Sequence, residues 1–486
     1  MSAAVRWKRL ASLGDASTPL LVVEASAGTG KTYFLERKVV DLVVRAGATI
    51  DQILVVTFTE KATAELRARV RGLLSTMVHG PVELAAPDAP PDQVWEIDDD
   101  ARARLRAALD GFDAAPISTI HGFCHRVLAD ESFAARRPFE QEQVPDDGAL
   151  RAAFTAALRE RFALDPDEAA LLGAYLGDNG NTVDKLFRLV LAVYRSGAEI
   201  EPPRPGARAE EILVPRLAAE VIARADRSKQ REGQLDFQDM LRLTAAALDG
   251  PGGAALAGRI ATRHPWALID EFQDTDPLQW QIFQRVWAPA APSAARGLTV
   301  VGDPKQAIYS FRGGDVHTYL QATGELRRRG AVTLQLDQNQ RSTAPMVCAV
   351  NCLLEHPRQV FAGDIRYDHP VTAAGDVSAS WPDGRPVEPL ALLPFEDRGA
   401  KPVAAEVRGA IFEATADEIV RLLHDPSRRI TGRRRGTTSA VKASDILVLT
   451  RTNDEAYDVA EAIRRRGVPC SLARAEYLFD TAEARA

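Results

Sequence analysis

The sequence predicts an α/β protein built on a parallel sheet, and three observations carry that prediction. Short apolar runs bounded by turn residues recur at residues 20–23, 53–56, 266–269, 298–301, 332–336 and 446–449, each the length of a buried strand. Helical patterns alternate with several of them, as a parallel sheet requires. A glycine-rich loop joins the first run to a helical segment, and an acidic cluster ends the third.

Size and composition set the frame. At 486 residues and 46% apolar content, the chain is too long for one core, so two or more domains are expected. No apolar stretch of roughly 18 residues is present and the first residues lack a secretory pattern, so a cytoplasmic protein with no membrane partner is expected. Four cysteines over this length exclude a disulfide framework. The net charge of −7 excludes whole-chain basicity, which confines any nucleic-acid site to a local groove.

Each element follows in order. After the run at 53–56, Ala62, Leu66, Val70 and Leu73 repeat at helical spacing while Lys61, Glu65, Arg67 and Arg71 fall elsewhere, which predicts an amphipathic helix lying on the sheet. Loops are expected at 81–100, 201–206, 251–253 and 288–297, where Pro, Gly and Asp concentrate. Residues 127–234 are rich in Ala, Leu and Arg and separate strands that should share one sheet, which predicts an inserted helical domain.

The run at 20–23 enters Glu24-Ala25-Ser26-Ala27-Gly28-Thr29-Gly30-Lys31-Thr32 and then a helical pattern, the context that a nucleotide phosphate loop requires. Gly28 and Gly30 let backbone N–H groups approach phosphates, Lys31 reaches the β/γ-phosphates of ATP, and Thr32 is a ligand for Mg²⁺. The cradle is therefore Ala25, Ser26, Ala27, Gly28, Thr29, Gly30, Lys31 and Thr32, with Ala25 standing where such loops usually carry glycine. The run at 266–269 ends in Asp270-Glu271-Phe272-Gln273-Asp274. Asp270 is the candidate Mg²⁺ carboxylate, and Glu271 the candidate base that orients the attacking water. Beyond 298–301, residues 302–315 alternate polar, aromatic and basic side chains; Gln306 is a candidate γ-phosphate sensor, and Tyr309, Phe311 and Arg312 offer faces and charge to bases or adenine.

These segments, together with Thr57-Phe58-Thr59, Ser118-Thr119-Ile120-His121-Gly122-Phe123 and Asn339-Gln340-Arg341-Ser342, resemble in their order the UvrD/Rep-like DNA helicases, and look most like the RecB branch, with AddA-type enzymes as near neighbours. The resemblance implies a RecA-like P-loop NTPase lobe with a parallel sheet, ATP and Mg²⁺ as cofactors, and ATP-driven 3′-to-5′ movement on single-stranded DNA in recombinational repair. It places Thr57, Phe58, Thr119, His121, Tyr309, Phe311 and Arg312 along DNA, single- or double-stranded, and makes Arg341 a γ-phosphate contact. Partners resembling RecC and RecD are implied. The implied organisation is a first lobe in two parts, 1–126 and 235–343, an inserted helical domain at 127–234, and the start of a second RecA-like lobe at 344–486.

Some features depart from that pattern. No glutamine precedes the phosphate loop within residues 1–23, so the family's adenine contact is absent there. The chain reads as an incomplete second lobe, with no second-lobe arginine motif and no nuclease segment. Two functional classes follow: an active DNA-stimulated ATPase motor, or a nucleotide-dependent single-strand-binding fragment without unwinding activity. His121, Cys124 and His125 are too crowded for all three to point at one metal ion, and no second Cys/His pair at zinc spacing appears, so metal binding there is not expected. Cys348 and Cys352, one helical turn apart, are expected to be apolar packing. The basic run at 428–435 reads as a solvated loop, with phosphate binding as the other reading.

Overall fold

The computed structural model describes residues 5–16, 18–130, 142–144, 146–196, 204, 206–288, 296–308, 316–355, 360–361, 365–375, 377–393, 404–434 and 436–472. The chain divides into two compact units, Met1–Leu336 and Asp337–Ala486.

The first unit is organised by a six-stranded, all-parallel sheet. Its strands in chain order are β1 (Leu20–Ala25), β2 (Ile53–Thr57), β3 (Ile117–Thr119), β4 (Trp266–Ile269), β5 (Gly297–Gly302) and β6 (Val332–Leu336), arranged across the sheet as β6-β1-β5-β4-β2-β3. Five of the six expected strands are present. The first acquires Glu24 and Ala25 and the fifth acquires both flanking glycines, because ladder partners extend pairing beyond the apolar run. β3 was not foreseen, since Ile-Ser-Thr is too short to carry a pattern.

Both faces are covered, as the continuous apolar strands require. Leu21, Val23 and Val55 pack on one side with Phe34, Leu35 and Val39 of α1 (Lys31–Arg45) and Leu66 and Val70 of α2 (Glu60–His79). Leu20, Val22, Leu54 and Val56 pack on the other with Phe123, Leu241, Phe283 and Trp287. The buried stripe of α2 is Thr63, Leu66, Val70, Leu74 and Met77; of the expected repeat, Leu66 and Val70 lie in it, while Ala62 and Leu73 are half-buried beside it. Its start is capped by Thr59, whose hydroxyl accepts the Ala62 N–H.

The stretch at 81–100, expected as loop, contains a strand. Val94–Ile97 pairs antiparallel with Val5–Lys8, and Val94, Trp95 and Ile97 are buried while Glu96 points out. Four residues among prolines and aspartates are too few to carry a strand pattern. This ribbon is anchored by a buried ion pair: the Arg9 guanidinium grips Asp41 of α1 through Nε–Oδ1 at 2.7 Å and Nη2–Oδ2 at 2.9 Å, and Trp95 Nε1 donates to the same carboxylate at 2.8 Å.

Within 142–235 lies a separate helical core. Leu150, Phe154, Phe162, Tyr175, Leu186, Phe187, Leu213, Leu217 and Val221 pack together apart from both faces of the sheet. α4 (Val183–Ser196) and α5 (Ala209–Glu232) are two of its helices; α3 (Ile120–Asp130) precedes it and belongs to the core under the sheet. Two short strands, Glu142–Gln143 and Gln234–Leu235, pair in parallel where the chain enters and leaves this region.

The second unit pairs Gln338–Asn339 with Thr372–Ala373 and holds a three-stranded antiparallel sheet, Val377–Ser380, Thr431–Arg434 and Thr437–Ala440. The basic run read as a solvated loop is therefore strand at Thr431–Arg434, where ladder bonds on both sides order the backbone and leave Arg433 and Arg434 exposed. Residues 446–449, expected as strand, have no ladder partner among the described residues. Ile446 and Val448 pack on the helices Ala404–His424 and Asn453–Arg465, whereas Leu447 and Leu449 are 78% and 85% exposed. Cys348 and Cys352, expected as packing, are exposed on the helix Ala344–Leu354, whose buried residue is Val347.

Candidate functional site

The strand registers bring the quoted motifs to one edge. Glu24 pairs with Gly302, Ile269 with Val56 and Val300, and Thr57 with Thr119, so the loops that follow β1, β5, β4, β2 and β3 all leave from the carboxyl ends of neighbouring strands. Ligands bind at this edge in parallel α/β sheets. The phosphate loop, Asp303–Gln306 and the acid pair lie on three adjacent strands, and Phe58 and His121 follow the next two.

The phosphate loop has the backbone its glycines permit. Gly28 (φ 78°) and Gly30 (φ 97°) are both left-handed, and Gly30 begins α1 by accepting the Phe34 N–H at 2.8 Å. Ala25 ends β1, buried and paired with Leu336, without positive φ, so an alanine meets no steric objection there. The Thr29 hydroxyl closes the turn onto Ser26 O at 2.8 Å. Ala27 is exposed, and Ser26, Gly28, Lys31 and Thr32 are half-buried around the amino terminus of α1, where helix amides favour an anion.

Side chains from the three strand ends close a ring. Lys31 Nζ donates to Glu271 Oε2 at 2.7 Å and to Gln306 Oε1 at 3.3 Å. Gln273 Nε2 donates to the same Glu271 oxygen at 2.7 Å, and Gln273 Oε1 accepts the Asp303 N–H at 3.0 Å. Gln306 Nε2 returns to Asp303 Oδ2 at 2.7 Å, completing the circuit. Lys305 also reaches Asp303, at 2.7 Å.

Glu271 occupies φ 49°, ψ 43°, the one non-glycine residue with positive φ among the described residues. That conformation costs on the order of 1–2 kcal/mol, and it is held where the carboxylate meets Lys31. Asp270 stands behind it, its N–H bonded to Val56 O at 2.8 Å and its Oδ1 accepting the Glu271 N–H at 2.9 Å. Burial, reinforced by the Glu271 charge and opposed by Lys31, pushes the Asp270 carboxyl up to about 7. Burial and Glu271 likewise raise Asp274 to about 6, and its Oδ1 is buried without a hydrogen-bond partner. Glu271 meets the Lys31 ammonium directly, and the charge of Lys31 also reaches Asp270 and Asp274; among the described residues no group of three or more His, Cys, Asp or Glu side chains is placed to hold a metal ion.

The expected DNA residues separate into two kinds. Thr57 is buried with its hydroxyl 2.5 Å from that of Thr63, and Thr119 Oγ1 donates to Glu60 at 2.9 Å and accepts the Gly122 N–H at 3.2 Å. Their side chains bond within the turns that carry Phe58 and His121. Phe58 is half-buried. His121 packs edge-on against Phe237, ring centroids 5.1 Å apart, and burial lowers its imidazole to about 4. Arg341 belongs to the second unit, in a turn where Asn339 Oδ1 accepts the Arg341 and Ser342 N–H groups at 2.9 and 2.8 Å. Tyr309, Phe311 and Arg312 lie outside the described residues.

Two residues of interest were missed from sequence. Gln273 lies inside the acidic motif and links Glu271 to Asp303. Phe237, 42% exposed beside His121, opens the helix α6 (Phe237–Asp249) directly after its Asp236 cap. An aromatic inside an Asp-x-x-Asp capping box, directly after the first Asp, is the signal that was available.

A phosphate loop, an acid pair and a glutamine joined across three parallel strands define a P-loop nucleotide-binding fold. Residues 10–327 match the UvrD/REP helicase N-terminal domain, and the chain belongs to that family. It is 33% identical over 465 residues to the RecBCD enzyme subunit RecB of Mycobacterium tuberculosis, covering 92% of this chain and 39% of the relative. It is 28% identical over 593 residues to the RecBCD enzyme subunit RecB of Escherichia coli K12 (96% and 49%), and 28% identical over 346 residues to the ATP-dependent DNA helicase UvrD1 of Mycobacterium bovis (69% and 37%). The chain thus spans less than half the length of these relatives. No helix among the described residues is long and apolar enough to cross a membrane.

Proposed function

We propose that this chain is the ATP-driven motor portion of a RecB-like helicase that moves along single-stranded DNA in recombinational double-strand-break repair, with RecC- and RecD-like partners and 3′-to-5′ polarity. The observation that carries it is the hydrogen-bonded ring of Lys31, Glu271, Gln273, Asp303 and Gln306, next to the strand ends that present Phe58 and His121. Residues 1–126 and 235–343 act as the first RecA-like lobe, 127–234 as its helical insert, and 344–486 belong to a second lobe.

In this reading the loop Ala25–Thr32 cradles the phosphates with its amides, and Lys31 exchanges its carboxylate and carboxamide partners for phosphate oxygens. Mg²⁺ held by Thr32 and Asp270 would supply neutralising charge. Glu271, strained into place and freed from Lys31, orients and deprotonates the attacking water. Gln306 reports the γ-phosphate through Asp303 to the segment bearing Tyr309, Phe311 and Arg312, the base-stacking and charged contacts. Phe58 and Phe237 offer stacking faces worth roughly 1–3 kcal/mol per base.

The test is ATP hydrolysis by the purified chain with and without oligothymidylate. Hydrolysis stimulated by DNA is expected, Lys31→Ala abolishes it, and Glu271→Gln retains ATP while slowing turnover by about 10²–10⁴. Unchanged turnover in either variant overturns the assignment. DNA binding without hydrolysis in the parent chain would instead establish a binding module.

A further inference from the structure

One buried polar cluster lies outside the nucleotide site. Lys229 of α5 is 2% exposed, yet its ammonium meets Asp236 Oδ2 and Asp239 Oδ2, each at 2.7 Å, and donates to the Tyr194 hydroxyl at 2.8 Å. The Tyr194 hydroxyl, on α4, donates in turn to Asp236 Oδ2 at 2.6 Å. Burial and the two carboxylates push that hydroxyl far up, so it stays a donor. Arg242, one turn into α6, closes the outer side through Asp226 at 2.7 Å.

The two carboxylates have a second task. Asp236 Oδ1 accepts the Asp239 N–H at 2.9 Å and Asp239 Oδ2 accepts the Asp236 N–H at 3.1 Å, a reciprocal box that starts α6. Phe237 sits between them, with its ring on His121. The groups that cap α6 are therefore the groups that hold two helices of the insert. A buried ammonium with several carboxylates costs desolvation that packed apolar residues would not, so its presence asks for a reason other than stability.

We propose that Tyr194, Lys229 and Asp239 are positioning residues that seat the Phe237 ring beside His121, so that affinity for single-stranded DNA depends on how the helical insert is anchored. The inference rests on the DNA-binding reading above and goes beyond it in assigning the insert a role at the DNA face. The chemistry is geometric: shifting the Asp236–Asp239 box tilts the first turn of α6, and Phe237 moves with it.

The experiment uses the full chain, fluorescein-labelled oligothymidylate and a fluorescent ATP analogue. Lys229→Met strands buried carboxylates and can prevent folding, so the chosen variant is Tyr194→Phe, which removes one hydroxyl, with thermal melting alongside. The expected result is a dissociation constant for the oligonucleotide raised by about three- to tenfold, with ATP-analogue affinity and the turnover rate at saturating DNA unchanged. In the Phe237→Ala background Tyr194→Phe then has no further effect. A loss of equal size in both backgrounds would mean that the cluster supports the fold generally, and overturns the proposal. Parent-level DNA affinity in Tyr194→Phe overturns it too while leaving the helicase reading intact. If the parent chain fails to bind the oligonucleotide, both fall.

Discussion

Gly302 and Gln273 approach so closely that a Cβ on residue 302 would lie 2.8 Å from Gln273 Oε1 and 3.1 Å from Gln273 N. The same Cβ would meet Tyr319 Cε2 at 3.1 Å, so neither side offers room. The absence of a side chain at the end of β5 is what lets Gln273 bridge Glu271 and Asp303. Gly302→Ala is expected to displace that carboxamide and lower ATP turnover by about tenfold, the scale of one lost hydrogen bond at a reacting group, with nucleotide affinity nearly retained. Stopped-flow binding and steady-state turnover of the variant check this; equal loss in both would point to damage of the phosphate loop instead.

His121 carries a pH dependence of defined sign. Burial holds its imidazole at about 4 in the fold, below about 6.5 in an unfolded chain. Between those values the unfolded chain binds a proton that the folded chain refuses. Stability from this group is therefore complete above about pH 6.5 and declines as pH falls toward 4. The carboxyls of Asp270, Asp274 and Asp276, raised by burial, act in the opposite sense, so the contribution is isolated by comparison with His121→Gln. The variant's urea midpoint should fall less between pH 7 and 5 than the parent's, and imidazole NMR should show His121 neutral at pH 5. Titration of that ring near 6.5 would contradict the packing described.

The pair Arg9–Asp41 makes a stability prediction. Both side chains are fully buried, and Asp41 also receives Trp95 Nε1. Asp41→Ala leaves a guanidinium in the interior with only backbone carbonyls, which costs roughly 3–5 kcal/mol. Urea unfolding of the variant measures it, and a loss below about 1 kcal/mol would show that water reaches Arg9. Because Asp41 lies on α1, whose first turn carries Lys31, nucleotide binding should protect the variant less than the parent.

How far the site was legible depended on the range of the interactions involved. The phosphate loop could be read because its geometry is local: Gly28 and Gly30 take left-handed conformations within a strand–loop–helix unit that spans few residues. The acid pair could be read because it ends an apolar strand. Gln273 and Phe237 were passed over because their partners, Asp303 and His121, are distant along the chain and adjacent only after strands and helices pack. Burial misled in both directions, since Cys348 and Cys352 look like core residues and are exposed, while the ionic cluster around Lys229 looks like surface and is buried.

Sequence alone determined the class of fold, five strands of its sheet and the glycine-rich loop between β1 and α1, because apolar periodicity and glycine backbone freedom act over a turn or a strand. Tertiary structure decided the rest. It put β3 and the Val94–Ile97 strand into ladders too short to announce themselves, left residues 446–449 without a described ladder partner, and joined Lys31, Glu271, Gln273, Asp303 and Gln306 into one ring. A hydrogen bond between side chains on different strands has no signature in either strand; only the register that brings their carboxyl ends level creates it.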